Sequence, residues 1–101
     1  MGSLEKMLEL LVRALRDPLS RKDTVRKFQL GFWGSQQSLK GSIGDDVYDL
    51  LADLAYDLDF FEADPIVRAG DCSYYGHERL EREIETALRR LSQVGIAVPD
   101  R

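Results

Sequence analysis

The sequence predicts an all-α fold, a small four-helix bundle formed by a single domain over residues 1–101. Apolar residues recur at i, i+3 and i+4 in several segments, which is the spacing of one buried helix face. No segment shows the apolar–polar alternation of a strand. The chain has 101 residues, 44% of them hydrophobic and 32% charged, which is typical of a globular domain with one core.

Turn signals separate the segments that have the helical pattern. We predict helices over about residues 4–16, 20–33, 45–63 and 77–93, with a mobile loop over about residues 34–44. The first helix ends at Asp17-Pro18, because the residue before a proline disfavours the α conformation. The second helix begins at Ser20, with Asp23 placed three residues later as in a capping pair.

The remaining elements follow from glycine, proline and charge. Residues 34–44 show no apolar period and contain three glycines, which favours a loop. Asp45 and Asp46 suit the positive end of the dipole of the third helix, and Asp64-Pro65 ends that helix. Oppositely charged pairs four residues apart support the last helix.

The net charge of −4 is distributed unevenly along the chain. Residues 1–44 contain eight basic and four acidic residues, residues 45–64 contain eight acidic and no basic residues, and residues 65–101 contain six of each. A general nucleic-acid-binding protein would show a basic excess instead. We therefore expect no direct contact with nucleic acid and look for a basic protein partner of the acidic segment.

Several other classes are excluded by residue type. No apolar run approaches the roughly 20 residues that cross a bilayer, so we expect no membrane span. One cysteine and one histidine do not suffice for a metal site, and no nucleophile–base pair is recognisable, so we expect no metal, no cofactor and no enzymatic activity. Charged residues interrupt the apolar positions near the start, and the single Cys72 permits no internal disulfide. We expect a cytoplasmic protein that is a monomer or a weak dimer when free.

The third predicted helix has an acidic face opposite its apolar one when it is unrolled at about 100° per residue. Asp49, Asp53 and Asp57 lie on this face, and Tyr56 and Phe60 lie among or beside them. Like charges four residues apart destabilise a helix by roughly 0.2–0.5 kcal/mol per pair, and no basic residue in the segment relieves the repulsion.

Two interpretations of this face remain open. It is either a solvated face partly neutralised by the basic second helix, or a surface for a basic partner. The two aromatic side chains favour the second interpretation, because aromatic residues dominate the binding energy of interfaces. Elsewhere, we expect His77 to be a surface residue and Tyr74-Tyr75 to cover the edge of the core.

Short motifs along most of the chain suggest a family. They are the apolar first helix, the charged segment of residues 20–28, the DFFEADP sequence of residues 59–65 followed by Arg68, and the closing LEREI sequence of residues 80–84. With these motifs the sequence resembles the colicin D immunity protein family, small bacterial proteins that bind and block a co-encoded toxin domain. It differs from the family pattern at Ala63, where proline is frequent, and at His77, where an acidic residue is frequent.

The resemblance implies an all-helical inhibitor of a toxin nuclease that cleaves transfer RNA. In that family, acidic residues at the end of the third helix and in the following turn occupy the toxin's basic substrate groove; the matching positions are Asp59, Glu62 and Asp64. We expect the flanking contact to be formed by Asp49, Asp53, Tyr56, Asp57 and Phe60. The alternative is a helical adaptor or regulatory module that binds a basic protein segment without inhibiting a toxin.

Overall fold

The fold is all-α, as the sequence predicts, but the number of helices differs. The computed structural model describes residues 3–99, and the four outermost residues of the predicted domain lie outside that range. In the described part the elements are α1 (Ser3–Arg16), α2 (Arg21–Gly34), α3 (Gln36–Ile43), α4 (Asp45–Asp57), α5 (Pro65–Ala69) and α6 (His77–Gln93), with 3-10 turns at Pro18–Ser20 and Leu58–Phe60. Six helices therefore replace the predicted four in this range.

One hydrophobic core joins the long helices. The apolar faces of α1, α2, α4 and α6 meet in it, and the Phe28 and Phe32 rings stack at 6.4 Å between centroids. The most deeply buried apolar side chains are Leu8, Leu11, Phe28, Phe32, Leu39, Leu51, Leu58, Leu80, Ile84, Leu88 and Leu91. The predicted first, second and last helices agree with α1, α2 and α6 to within one residue.

The predicted mobile loop over residues 34–44 is wrong, because most of this segment forms α3. Its one leucine, Leu39, is only 2% exposed and enters the core, and Lys40 lies over the Tyr48 ring at 5.6 Å from the centroid. These contacts outweigh the low helix propensity of serine and glycine. Gly44, with φ of 83°, then separates α3 from α4, a conformation that glycine adopts without a steric penalty.

The predicted third helix over residues 45–63 is too long. Helix α4 ends at Asp57, a 3-10 turn follows, and Phe61 is extended and pairs with Tyr75 in an isolated bridge. The backbone N–H of Glu62 donates to the Tyr75 carbonyl, and the N–H of Tyr75 donates to the Phe60 carbonyl, both at 2.9 Å. This pairing with a distant part of the chain draws the backbone out of the helix. Phe61, which lies within the predicted third helix, is instead half-buried at this bridge.

The sequence Asp64-Pro65 begins α5. We had expected it to end the third helix, which instead ends at Asp57. The Asp64 carboxylate accepts a hydrogen bond from the Ile66 N–H at 2.9 Å, and Pro65 occupies the first helical position. Proline is favoured there because the N–H that it lacks would have no helical partner. The connection between the predicted third and last helices therefore contains one short helix.

A buried arginine joins three helix ends at one end of the bundle. Arg21 donates to the carbonyls of Ala14 at 2.6 Å and Leu15 at 3.1 Å, and its Nη1 lies 2.8 Å from Nδ1 of His77. Carbonyls in the last turn of a helix lack helical partners, so the guanidinium satisfies two of them at the end of α1. His77, expected at the surface, is half-buried here.

Candidate protein-binding surface

The structure places the predicted site residues in two neighbouring regions. We call the first the α4 face, which comprises Asp49, Asp53 and Tyr56, all exposed. The second lies beyond the end of α4, where Asp59, Glu62 and Asp64 follow one another through the 3-10 turn and into the start of α5. Glu62 and Asp64 lie outside α4 and are not part of the α4 face.

The α4 face presents charge without local neutralisation. Within residues 3–99, no salt bridge involves Asp49 or Asp53. Tyr56 is 67% exposed and meets Phe60 edge-on at 5.8 Å between ring centroids. Phe60 is half-buried and packs against the core. Phe60 therefore supports Tyr56, and Tyr56 is the aromatic side chain that this face offers to a partner.

The basic second helix does not neutralise the α4 face by direct contact. Arg21 is buried at the junction with α1 and α6. Lys22, Arg26 and Lys27 are exposed, and none of them forms a salt bridge within the described residues. The interpretation of a face neutralised across the bundle therefore finds no ion pair to support it in this part of the chain.

Asp57 is engaged within the fold, unlike its neighbours on α4. The Tyr75 hydroxyl lies 2.9 Å from both the Asp57 carbonyl and its Oδ2, and Arg79 Nη2 lies 3.7 Å from Asp57 Oδ1. The Arg79 guanidinium also covers the Tyr75 ring at 4.7 Å. Burial of the Tyr75 side chain raises its pKa well above the usual value, and the hydrogen bond to Asp57 raises it further. The phenol therefore stays neutral and acts as a donor to Asp57.

A groove of about 230 Å³ runs between α4 and α6 beside the α4 face. Its lining combines three apolar side chains with three carboxylates and one guanidinium. The lining residues are Leu50, Asp53, Leu54, Asp57, Glu83, Thr86, Ala87 and Arg90. A lysine or arginine side chain fits such a lining, because its methylene groups can contact the apolar side chains while its charged end approaches the carboxylates.

The carboxylates beyond α4 are oriented by hydrogen bonds to the chain itself. Asp59 accepts a long bond of 3.4 Å from the Gln29 side chain, and Glu62 accepts one of 3.1 Å from the Asp64 N–H. Asp71 accepts from both the N–H and the hydroxyl of Ser73, at 2.9 and 2.8 Å. These two bonds lower the pKa of Asp71, so it stays ionised.

Sequence reasoning missed part of this second region. Asp71 is a further exposed carboxylate, and Ile66 and Val67 of α5 are exposed apolar side chains close to the predicted acidic positions. The signal for α5 was available, because an aspartate followed directly by proline is a helix start as well as a helix stop. The exposure of Ile66 and Val67 has no comparable signal, since apolar residues are expected to be buried.

Comparison of the chain with protein-family models, with curated proteins and with solved structures finds no match. Between residues 3 and 99, no group of three or more histidine, cysteine or acidic side chains is arranged to hold a metal ion. In that same range no helix has both the length and the apolar character needed to cross a membrane.

Proposed function

We propose that this protein is an immunity-type inhibitor that binds the basic nuclease domain of a toxin. The observation that carries the proposal is the set of exposed carboxylates along α4 and beyond it, next to Tyr56, with no salt bridge to Asp49 or Asp53 within residues 3–99. A nuclease groove that holds phosphates is basic, so it is electrostatically complementary to this surface. The resemblance of the sequence to the colicin D immunity protein family supports the same class of partner.

The proposed inhibition is competition for the substrate groove. Asp59, Glu62 and Asp64 would enter it and form charge-assisted hydrogen bonds with the groups that otherwise bind RNA. The α4 face, with Asp49, Asp53 and Tyr56, would contact the edge of the toxin's substrate groove. Cationic side chains at that edge would fit the groove of this protein between α4 and α6. An inhibitor of a toxin that cleaves transfer RNA acts where transfer RNA is, so we propose a cytoplasmic location.

Charge reversal at one exposed position tests this placement. The probe is the purified product of the toxin gene that the proposal places immediately upstream, and its binding is measured by calorimetry at low and physiological salt. We expect Asp59→Lys to weaken binding at least tenfold and to reduce its salt dependence, because a groove contact becomes repulsive. Glu9→Lys makes the same charge change on an exposed position of α1 and should leave the affinity unchanged.

Two results would overturn the proposal. Equal affinity of wild type and Asp59→Lys at low salt would remove Asp59 from the interface. Tight binding that leaves cleavage of transfer RNA by the probe unaffected would identify an adaptor that binds a basic protein without inhibiting it.

A further inference from the structure

Residues 62–74 form a surface loop that is closed at its base, and we call this segment the closed loop. Its two ends meet at the Phe61–Tyr75 bridge, through the two 2.9 Å backbone hydrogen bonds described above. Compact loops of this size with adjoining ends, known as Ω-loops, are frequently functional. The closed loop contains α5 and follows directly after Phe61. Two of the proposed inhibitory carboxylates, Glu62 and Asp64, lie within it, and the third, Asp59, lies just before it.

Polar contacts fix the shape of the closed loop from within. Asp64 caps the first turn of α5, and Asp71 orders the chain after it through Ser73. Arg68 donates to the Glu62 carbonyl at 3.0 Å, and its guanidinium lies so close to Gly76 that a Cβ there would overlap it. Any larger residue at position 76 would displace Arg68. The conformation is therefore set by hydrogen bonds rather than by core packing.

The apolar side chains of the closed loop point to solvent. Helix α5 has no buried residue; Ile66 is 83% exposed, Val67 46% and Tyr74 38%. Burial of these side chains therefore contributes little to the folding of the free chain. Exposed apolar groups with a polar rim are typical of interaction sites.

The charge around this apolar tip selects the kind of partner. The closed loop contains three acidic residues, Glu62, Asp64 and Asp71, and one basic residue, so its own net charge is −2. The basic residue, Arg68, is turned towards Glu62 and Gly76. A second copy of this loop and an anionic membrane would both be repelled. The complementary surface is a basic protein with an apolar hollow.

We propose that the closed loop is a pre-organised recognition element whose apolar tip, formed by Ile66 and Val67 of α5, fills an apolar hollow in the basic partner. Asp71 pairs with a cation at the rim of that hollow, while Glu62 and Asp64 enter the substrate groove beside it. This inference rests on the proposed function and adds to it the contact that supplies affinity. Because the loop is already ordered, binding loses little conformational entropy, and a few central apolar side chains can dominate the interface.

A double variant of the tip tests the apolar contact with the probe introduced above. We expect Ile66→Ser combined with Val67→Ser to weaken binding at least tenfold, mainly through faster dissociation. Both residues are exposed, so the variant should unfold at the wild-type urea concentration. The matched control is Val94→Ser, an exposed apolar position just after the C-terminal end of α6. The closed loop precedes the N-terminal end of this helix, and the two helix ends lie about 25 Å apart because 17 residues rise about 1.5 Å each.

A second pair of variants separates charge from shape. Asparagine accepts the same backbone hydrogen bonds as aspartate, so Asp64→Asn combined with Asp71→Asn keeps the cap and the turn and removes two charges. We expect slower association and a weaker salt dependence, with smaller changes in the dissociation rate. Hydrogen exchange on the free chain should show protected N–H groups at Glu62, Ile66 and Tyr75.

The outcomes distinguish this inference from the proposed function. If the wild-type chain does not bind the probe, the proposed function fails, and the inference fails with it. If the wild type binds and the double serine variant binds as tightly as Val94→Ser, the inference alone fails. Rapid exchange at Ile66 and Tyr75 in the free chain would contradict the pre-organised loop.

Discussion

The α4 face and the closed loop use the same residue types in opposite ways. On the α4 face, Asp49 and Asp53 have no salt bridge within the described residues, and their charges repel along the helix. In the closed loop, Glu62, Asp64 and Asp71 each accept a hydrogen bond from a backbone N–H. Carboxylates therefore oppose folding in the first region and determine the local conformation in the second.

The difference explains how one acidic surface can combine carboxylates that form no salt bridge with a segment of fixed conformation. A regular helix holds the free charges of α4 in position at a small energetic cost, and under the proposed function these charges would attract the basic partner from a distance. The closed loop converts its charges into a fixed contour before any partner arrives. Removing a carboxylate side chain should consequently raise stability on the α4 face and lower it in the closed loop, where the hydrogen-bond acceptor is lost.

The largest expected effect is at Tyr75, which closes the base of the loop and binds Asp57 of α4. We expect Tyr75→Ala to lower the free energy of unfolding by about 3–5 kcal/mol, because it deletes a buried aromatic side chain and its hydrogen bond. Urea denaturation measures the loss. Tyr74→Ala, at the exposed neighbour, should cost far less, and similar losses for the two variants would mean that the loop base is not a structural link.

A smaller loss is expected at the cap of α5. Asp64→Ala should destabilise α5 by about 0.5–2 kcal/mol, since the Ile66 N–H loses its acceptor. Hydrogen exchange at that N–H measures the local opening. Asp64→Asn should retain most of the protection, and a full loss in both variants would show that charge, rather than capping, orders the loop.

The α4 face should respond in the other direction. Asp53→Asn removes the like-charge pair with Asp49, unfavourable by roughly 0.2–0.5 kcal/mol, whereas the charge of Asp57 is already balanced by Arg79; a gain in stability of about 0.2–0.5 kcal/mol is expected. The gain should disappear in 1 M salt, where the screening length is about 3 Å. Destabilisation by Asp53→Asn at low salt would contradict the description of α4 as a face of unrelieved charge.

The smallest effect concerns the stability of the closed loop at low pH. The pKa of Asp71 is lowered by the two hydrogen bonds from Ser73, so its folded-state pKa lies below its unfolded value. Its contribution to stability is therefore present above the unfolded value and is lost as the pH falls through the folded one. Ser73→Ala removes one of the two bonds and should raise the pKa of Asp71, as measured by carboxyl NMR titration; an unchanged pKa would exclude the hydroxyl as a cause.

Sequence reasoning predicted the parts of the fold that local patterns determine. Helices α1, α2 and α6 have apolar residues at helical spacing, and they appear where that spacing predicts them. The errors arise where distant residues decide. A single buried leucine, Leu39, holds α3 in place, and the pairing of Phe61 with Tyr75 shortens the third predicted helix. Neither contact leaves a periodic signal in the sequence.

The candidate site divides along the same line. The acidic face with Tyr56 follows from helical geometry, and Asp49 and Asp53 are exposed as that geometry requires. Whether a carboxylate is free or engaged does not follow from residue type. Asp57 lies on the same predicted stripe yet binds Tyr75, a residue 18 positions away. The apolar tip of the closed loop is equally silent in the sequence, since Ile66 and Val67 resemble ordinary core residues.

The junction at Arg21 has a consequence for the order in which the chain folds. Its two carbonyl partners, Ala14 and Leu15, lie within seven residues, so this half of the junction forms with the hairpin of α1 and α2. The third partner, His77, is 56 positions away and arrives only when α6 docks. Because late contacts are absent from the transition state, loss of the His77 side chain should accelerate unfolding and leave the folding rate nearly unchanged. One buried guanidinium thus records both an early and a late step in the assembly of the bundle.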